Sequence, residues 1–163
     1  MKKIYLFILA SLFCLNLQAQ GDENSFDFWV GEWDLTWTGQ DGKEGKGTNR
    51  IVKILDGKVI EENFEAIGPG FKGKSLSVYN PNSGQWHQAW ADNQGGYFDF
   101  IGEVEGDKRI FKTKMIEKDG KKIIQRMRFY NISEDSLTWD WEMTQDGGET
   151  WNLQWRINYK KKQ

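Results

Sequence analysis

Apolar and polar residues alternate with a period of two from about residue 30 to residue 160, the signature of half-buried β-strands. In "GEWDLTWT" (31–38), Trp33, Leu35 and Trp37 fall on one side, and Glu32, Asp34 and Thr36 on the other. The same rule sets Ile60, Glu62, Phe64 and Ala66 on an inner face, with Phe98, Phe100, Phe111, Thr113, Met115, Met127 and Phe129. The last two runs place Leu137, Trp139, Trp141 and Met143 inside, matched by Trp151, Leu153, Trp155, Ile157 and Tyr159. Turn signals separate the runs: "LDGK" (55–58), "NPNSGQ" (80–85), "DNQGG" (92–96), "EGDK" (105–108), "KDGK" (118–121), "SEDS" (133–136) and "QDGGE" (145–149). Asp-Gly between β-branched or aromatic residues is a strong hairpin signal.

This punctuation predicts strands over 30–38, 48–55, 58–66, 73–80, 84–92, 96–104, 108–118, 121–132, 135–145 and 149–160. Residues 23–29 are expected to form a short helical cap, and 39–47 a solvated loop. A meander of about ten antiparallel strands removes its edges by closing on itself. The expected fold is therefore all-β, a closed up-and-down antiparallel barrel. Ten strands enclose more space than eight, so the rings are expected to fill one end and line a pocket at the other.

Composition changes the picture mainly at the start of the chain. "MKK", then "IYLFILASLFCL", then "NLQAQ" reads as a secretory signal peptide over 1–19, cut after Ala19. Phe13 before Cys14 argues against a lipoprotein signal. Residues 20–163 are then one barrel domain without cysteine, exported to the periplasm or the medium. Removing Lys2 and Lys3 leaves 20 basic residues (22 less 2) against 24 acidic, so the net charge moves from −2 to −4. That balance argues against nucleic acid as a partner, and no segment after the signal can span a bilayer as an apolar helix.

Resemblances add a fold expectation. "GEW" (31–33) resembles the Gly-x-Trp opening of lipocalin-like barrels, which implies that Trp33 closes the barrel floor with a late arginine packed across it. Arg156 is the candidate for that arginine, although alternation puts it on the outer face. "FDFWVGEWDLTW", "YNPNSGQWHQAWADNQGG", "DGGETW" and "INYKKK", in this order, resemble a family of small secreted bacterial proteins of unknown function with a lipocalin-like, calycin-type barrel. The family implies fold and export, and no reaction. "TQDGGETW" (144–151) is also similar to the Asp-box of sialidase propellers; a single copy is better read as a turn braced by Asp146.

Candidate chemistry is sparse. His87 is the single histidine and is expected to face outward, so no histidine metal site, haem ligand or Ser-His-Asp triad with Ser75 or Ser77 is marked. Arg126, Arg128 and Tyr130 share a face expected to point outward. Glu62, between Ile60 and Phe64, is a carboxyl on an apolar face and should be paired, protonated, hydrated or touching a ligand. Gln88 lies between Trp86 and Trp90. The expected ligand-binding residues are Glu62, Phe64, Trp86, Gln88, Trp90, Thr113 and Trp141, for a small, partly apolar molecule and without a cofactor. Two other readings stay open. One is an enzyme with Glu62 as general acid or base, and the other a structural or interaction domain with a filled core.

Overall fold

The structure, a computed structural model, describes residues 21–68 and 70–162. The proposed signal peptide and Cys14 lie outside the described residues. A 3-10 segment at Asp27–Trp29 precedes β1 (Gly31–Thr38), β2 (Glu44–Ile54), β3 (Val59–Ile67), β4 (Lys72–Asn80), β5 (Gln85–Asp92) and β6 (Tyr97–Glu105). Then follow β7 (Lys108–Lys112), β8 (Ile116–Lys118), β9 (Lys121–Tyr130), β10 (Ser136–Thr144) and β11 (Asn152–Lys161). Each pairs in antiparallel fashion with the next along the chain, except that β7 skips β8 and pairs with β9, and β11 returns to β1 with Trp33 opposite Lys161 and Leu35 opposite Tyr159. Ten strands close the barrel, and β8 is an extra strand on β9.

Three departures from simple alternation have local causes. Residues 44–47, expected in a loop, are strand because their glycines make room for a ring. A Cβ on Gly45 would stand 2.1 Å from the Trp37 indole nitrogen. The run expected over 108–118 breaks at Thr113. There the Gln125 N–H donates to the Thr113 hydroxyl at 3.0 Å, where a regular ladder would use the Thr113 carbonyl. The chain then resumes one residue out of register, and Met115, expected inside, is exposed. β6 is thus paired with β7 only from Ile101 to Glu105, and Tyr97–Phe100 has no strand on that side.

The third departure is a bulge opposite Trp141 and Glu142, where the partner changes from Trp155 to Leu153 and Gln154 is skipped. One extra residue reverses the faces beyond it. Leu153 is therefore exposed, and Trp151 lies outside under the Arg126 guanidinium, 3.7 Å from the ring centre. Neither faces in as alternation alone predicts. The adjoining turn is braced by Asp146, which accepts the N–H groups of Gly148 and Thr150. Hydroxyl hydrogen bonds from Thr144 and Thr150 hold its carboxyl well below the usual range. This matches the turn reading of the Asp-box residues.

Aromatic residues fill the closed end. Phe26 stacks on Phe111 with centroids 4.3 Å apart and meets Trp86 edge-on at 5.1 Å, while Trp29 meets Phe129 at 5.1 Å. Gly102 makes this possible, because a Cβ there would lie 2.6 Å from Trp86 and 2.9 Å from Phe111. Trp33 is fully buried at this floor, and its indole N–H donates to the Trp29 carbonyl at 2.8 Å. The cation across it is Lys161, whose Nζ stands 5.6 Å from the ring. Arg156 is not that cation.

Arg156 instead clamps Asp140 on the outer wall, Nε to Oδ1 at 2.7 Å and Nη2 to Oδ2 at 2.8 Å. Arg128 and Tyr130 also donate to Asp140, and Arg126 donates to Glu142. Burial opposes ionisation of Asp140, but the hydrogen bonds from Arg156 and Arg128 outweigh it and hold the carboxyl below its ordinary value. The outward arginines thus weld β9, β10 and β11 together. Asp140→Asn is expected to lose about 1.5–3 kcal/mol, the scale of hydrogen bonds to charged groups. Urea unfolding would show this as a lower midpoint at constant slope; a loss below about 0.5 kcal/mol would mean the clamp is solvated and idle.

Candidate functional site

Above the packed floor the barrel is hollow. A cavity of about 190 Å³ is lined by Phe64, Phe71, Trp90, Phe98, Phe100, Trp139, Trp141, Trp155 and Tyr159, together with Met127, Ile157, Glu62 and Asp92. The upper interior is therefore not solid side chain. Its rings form an edge-to-face web: Trp155 meets Trp37 at 5.2 Å and Phe64 at 5.9 Å, and Trp141 meets Phe98 at 5.5 Å. Such pairs each contribute about 0.5–1.5 kcal/mol beyond burial, and the cavity stands open between them. Trp90 extends into this space because it lies over Gly73, where a Cβ would come within 2.0 Å of its ring.

Glu62 is the polar group of the cavity wall. It is 4 % exposed, and its hydrogen-bond partners among the described residues are the neutral Asn49 and Ser75. Asn49 Nδ2 donates to Oε1 at 2.7 Å, and the Ser75 hydroxyl donates to Oε2 at 2.7 Å. Asn49 also donates to the Tyr159 hydroxyl at 3.2 Å. Behind Ser75, the Gln88 amide donates to the hydroxyls of Ser75 and Ser77 at 3.1 and 2.9 Å. The result is a polar spine, Gln88–Ser75–Glu62–Asn49–Tyr159, running across β5, β4, β3, β2 and β11. Burial pushes the Glu62 carboxyl up to about 7, and the hydrogen bonds from Ser75 and Asn49 only partly offset this. Burial first, and then the nearby Glu62, push the Tyr159 phenol above its usual value, so it stays protonated.

Asp92 marks the mouth. Its carboxylate accepts the Trp90 indole N–H at 3.2 Å and the N–H groups of Gln94 and Gly96 at 2.9 Å. Partial burial opposes ionisation, but these bonds win and keep Asp92 acidic. The two carboxyls of the site therefore differ: Asp92 is charged at neutral pH, and Glu62 is poised to gain or lose a proton.

Of the seven residues singled out from sequence, Glu62, Phe64, Trp90 and Trp141 line the cavity. Trp86 does not. It belongs to the floor, where its indole N–H donates to the Asp22 carbonyl at 2.8 Å. Gln88 is buried one residue behind the cavity and reaches Glu62 only through Ser75. Thr113 is spent on the ladder break described above and is not in the lining. Asn49, Ser75 and Asp92 were not among the seven. The signal for Asn49 was available, since alternation places it inside with Ile51; Asn49 stands opposite Phe64 and reaches diagonally to Glu62, which Ile51 faces.

His87 is exposed on the outer face of β5, away from the inward Ser75 and Ser77, so these residues form no triad. Comparison with protein-family models and with curated proteins gives no match. The architecture, a closed ten-stranded antiparallel barrel with an aromatic floor, is compatible with a calycin-type fold. No helix among the described residues is long and apolar enough to cross a membrane. No group of three or more histidine, cysteine or acidic residues is arranged among them to hold a metal ion.

Proposed function

We propose that this protein is an exported, lipocalin-like barrel that binds a small, partly apolar molecule. One observation carries the reading: a preformed aromatic cavity with a single polar spine at its base. Apolar walls with a few convergent polar groups are the usual form of a small-molecule site. The volume lies below the roughly 300–1,000 Å³ of drug-sized pockets, so the guest is small, on the scale of one ring and a short chain. Export rests on the N-terminal signal sequence, and the lipocalin-like family on the order of the quoted motifs.

The direct test is titration with 2-phenylethanol, followed by tryptophan emission and calorimetry, beside native mass spectrometry of protein from its own host. Saturable binding is expected, weakened about fivefold or more in Trp141→Ala by loss of ring contact worth about 1 kcal/mol. His87→Ala, on the outer face, should leave it unchanged. Non-saturable binding, or equal losses in both variants, would sink the reading. A second reading, catalysis with Glu62 as general acid or base, is favoured by the elevated acid of Glu62, because proton transfer works best near the operating pH. Its mark would be turnover abolished in Glu62→Gln with affinity kept.

A further inference from the structure

The cavity carries a charge preference that its shape alone does not reveal. Its lining includes Glu62 and Asp92 and no lysine, arginine or histidine. Glu62 is buried among neutral groups on every side. β2 presents Asn49 and Ile51, β4 presents Ser75, β5 presents Gln88, and β11 presents Tyr159. Of these only Tyr159 titrates, and it remains neutral. The hydrogen-bond donors around Glu62 point at its oxygens as they would at a carboxylate, yet among the described residues no lysine or arginine pairs with it. Each oxygen accepts one hydrogen bond within the protein, which leaves acceptor capacity on both. A carboxylate so placed is incomplete without a positive partner.

The rings complete the description. Trp141, Trp155 and Trp90 line the same cavity as Glu62, and aromatic faces attract an ammonium group, tryptophan most strongly. Asp92, ionised at the mouth, adds a field that draws cations inward and repels anions. A metal ion suits this wall poorly, since among the described residues no three histidine, cysteine or acidic side chains come together to hold one. We infer that the site takes an organic ammonium: a protonated amine on a small apolar or aromatic body, its charge on Glu62 and its body against the tryptophans. This rests on the proposed binding function and specifies the ligand class for it.

The test compares three probes of one shape: 2-phenylethylammonium, 2-phenylethanol and 3-phenylpropanoate, titrated calorimetrically into the folded protein near pH 8. The ammonium is expected to bind about tenfold or more tighter than the alcohol, as for a charge-assisted hydrogen bond, and the propanoate more weakly than either. In Glu62→Gln the ammonium preference should lose most of its size, leaving the small part that Asp92 supplies, while alcohol binding persists. In the wild type the preference should shrink near pH 5, where Glu62 carries its proton and Asp92 and Tyr159 do not change state; this arm stands even if the variant fails to fold. Saturable alcohol binding without ammonium preference, or a preference that survives undiminished in Glu62→Gln, overturns the inference and leaves the binding barrel standing. No saturable binding by any of the three overturns both.

Discussion

Replacing Trp33 with alanine is expected to cost about 3–5 kcal/mol, the scale of emptying a buried large aromatic site. Trp33 is fully buried, its indole N–H is satisfied by the Trp29 carbonyl, and its ring meets Tyr159 edge-on at 5.9 Å. The substitution removes the ring, orphans the Trp29 carbonyl and opens the floor beneath Tyr159, which is one end of the polar spine. Trp33→Phe keeps most of the apolar volume and should cost less, chiefly the lost hydrogen bond at about 1 kcal/mol. Equilibrium unfolding in urea decides the matter. A loss below about 1 kcal/mol in the alanine variant would show that Trp33 is not core.

The second large effect is in the pH dependence of stability. The folded state raises the Glu62 acid from 4.5 to about 7, so below pH 4.5 both folded and unfolded chains hold this proton. Between those values the folded chain keeps the proton and the unfolded chain releases it, so stability falls as pH rises. Above the folded value the loss is complete, at about 3 kcal/mol for a shift of this size. The acids held below their ordinary value, such as Asp146, act in the opposite sense at lower pH and are common to any Glu62 variant. Glu62→Gln should therefore lack this slope and gain on the wild type from pH 5 to 8. Parallel stability curves for the two proteins would mean that Glu62 is hydrated or paired in the folded state.

Much of this architecture is legible in the sequence, because hairpin turns and period-two patterning are both local signals. The predicted run over 73–80 matches Lys72–Asn80, and the predicted inner pair Glu62 and Phe64 does line the cavity. What failed was depth along the barrel axis. Alternation says that Trp86 faces inward but not whether it lies at the floor or the mouth, and only strand stagger decides that. Register faults were equally hidden: nothing local to Gln154 or Thr113 announces that the chain skips a residue there. β4 shows a further limit. Leu76 and Val78 are on the outer face while Ser75 and Ser77 are buried, the reverse of what hydrophobicity alone suggests. The serines are inside because Glu62 and Gln88 need partners, a requirement set by neighbouring strands.

The Thr113 break also leaves strand edge open to pairing between barrels. Where β6 loses β7, its Tyr97–Phe100 stretch and the three-residue β8 present free strand edges, as does β11 ahead of Asn158 on the β1 side. Free edges invite pairing between chains and, from there, fibrils. Here β8 is too short to template a ladder, and Lys118, Lys121 and Lys122 at its hairpin repel a second copy laid alongside. The β6 stretch carries Asp99, exposed and bonded to the Tyr97 hydroxyl, midway along its length. The seam beside the aromatic interior is thus left unzipped, and both of its lips carry charge that a second chain pairing there would have to bury.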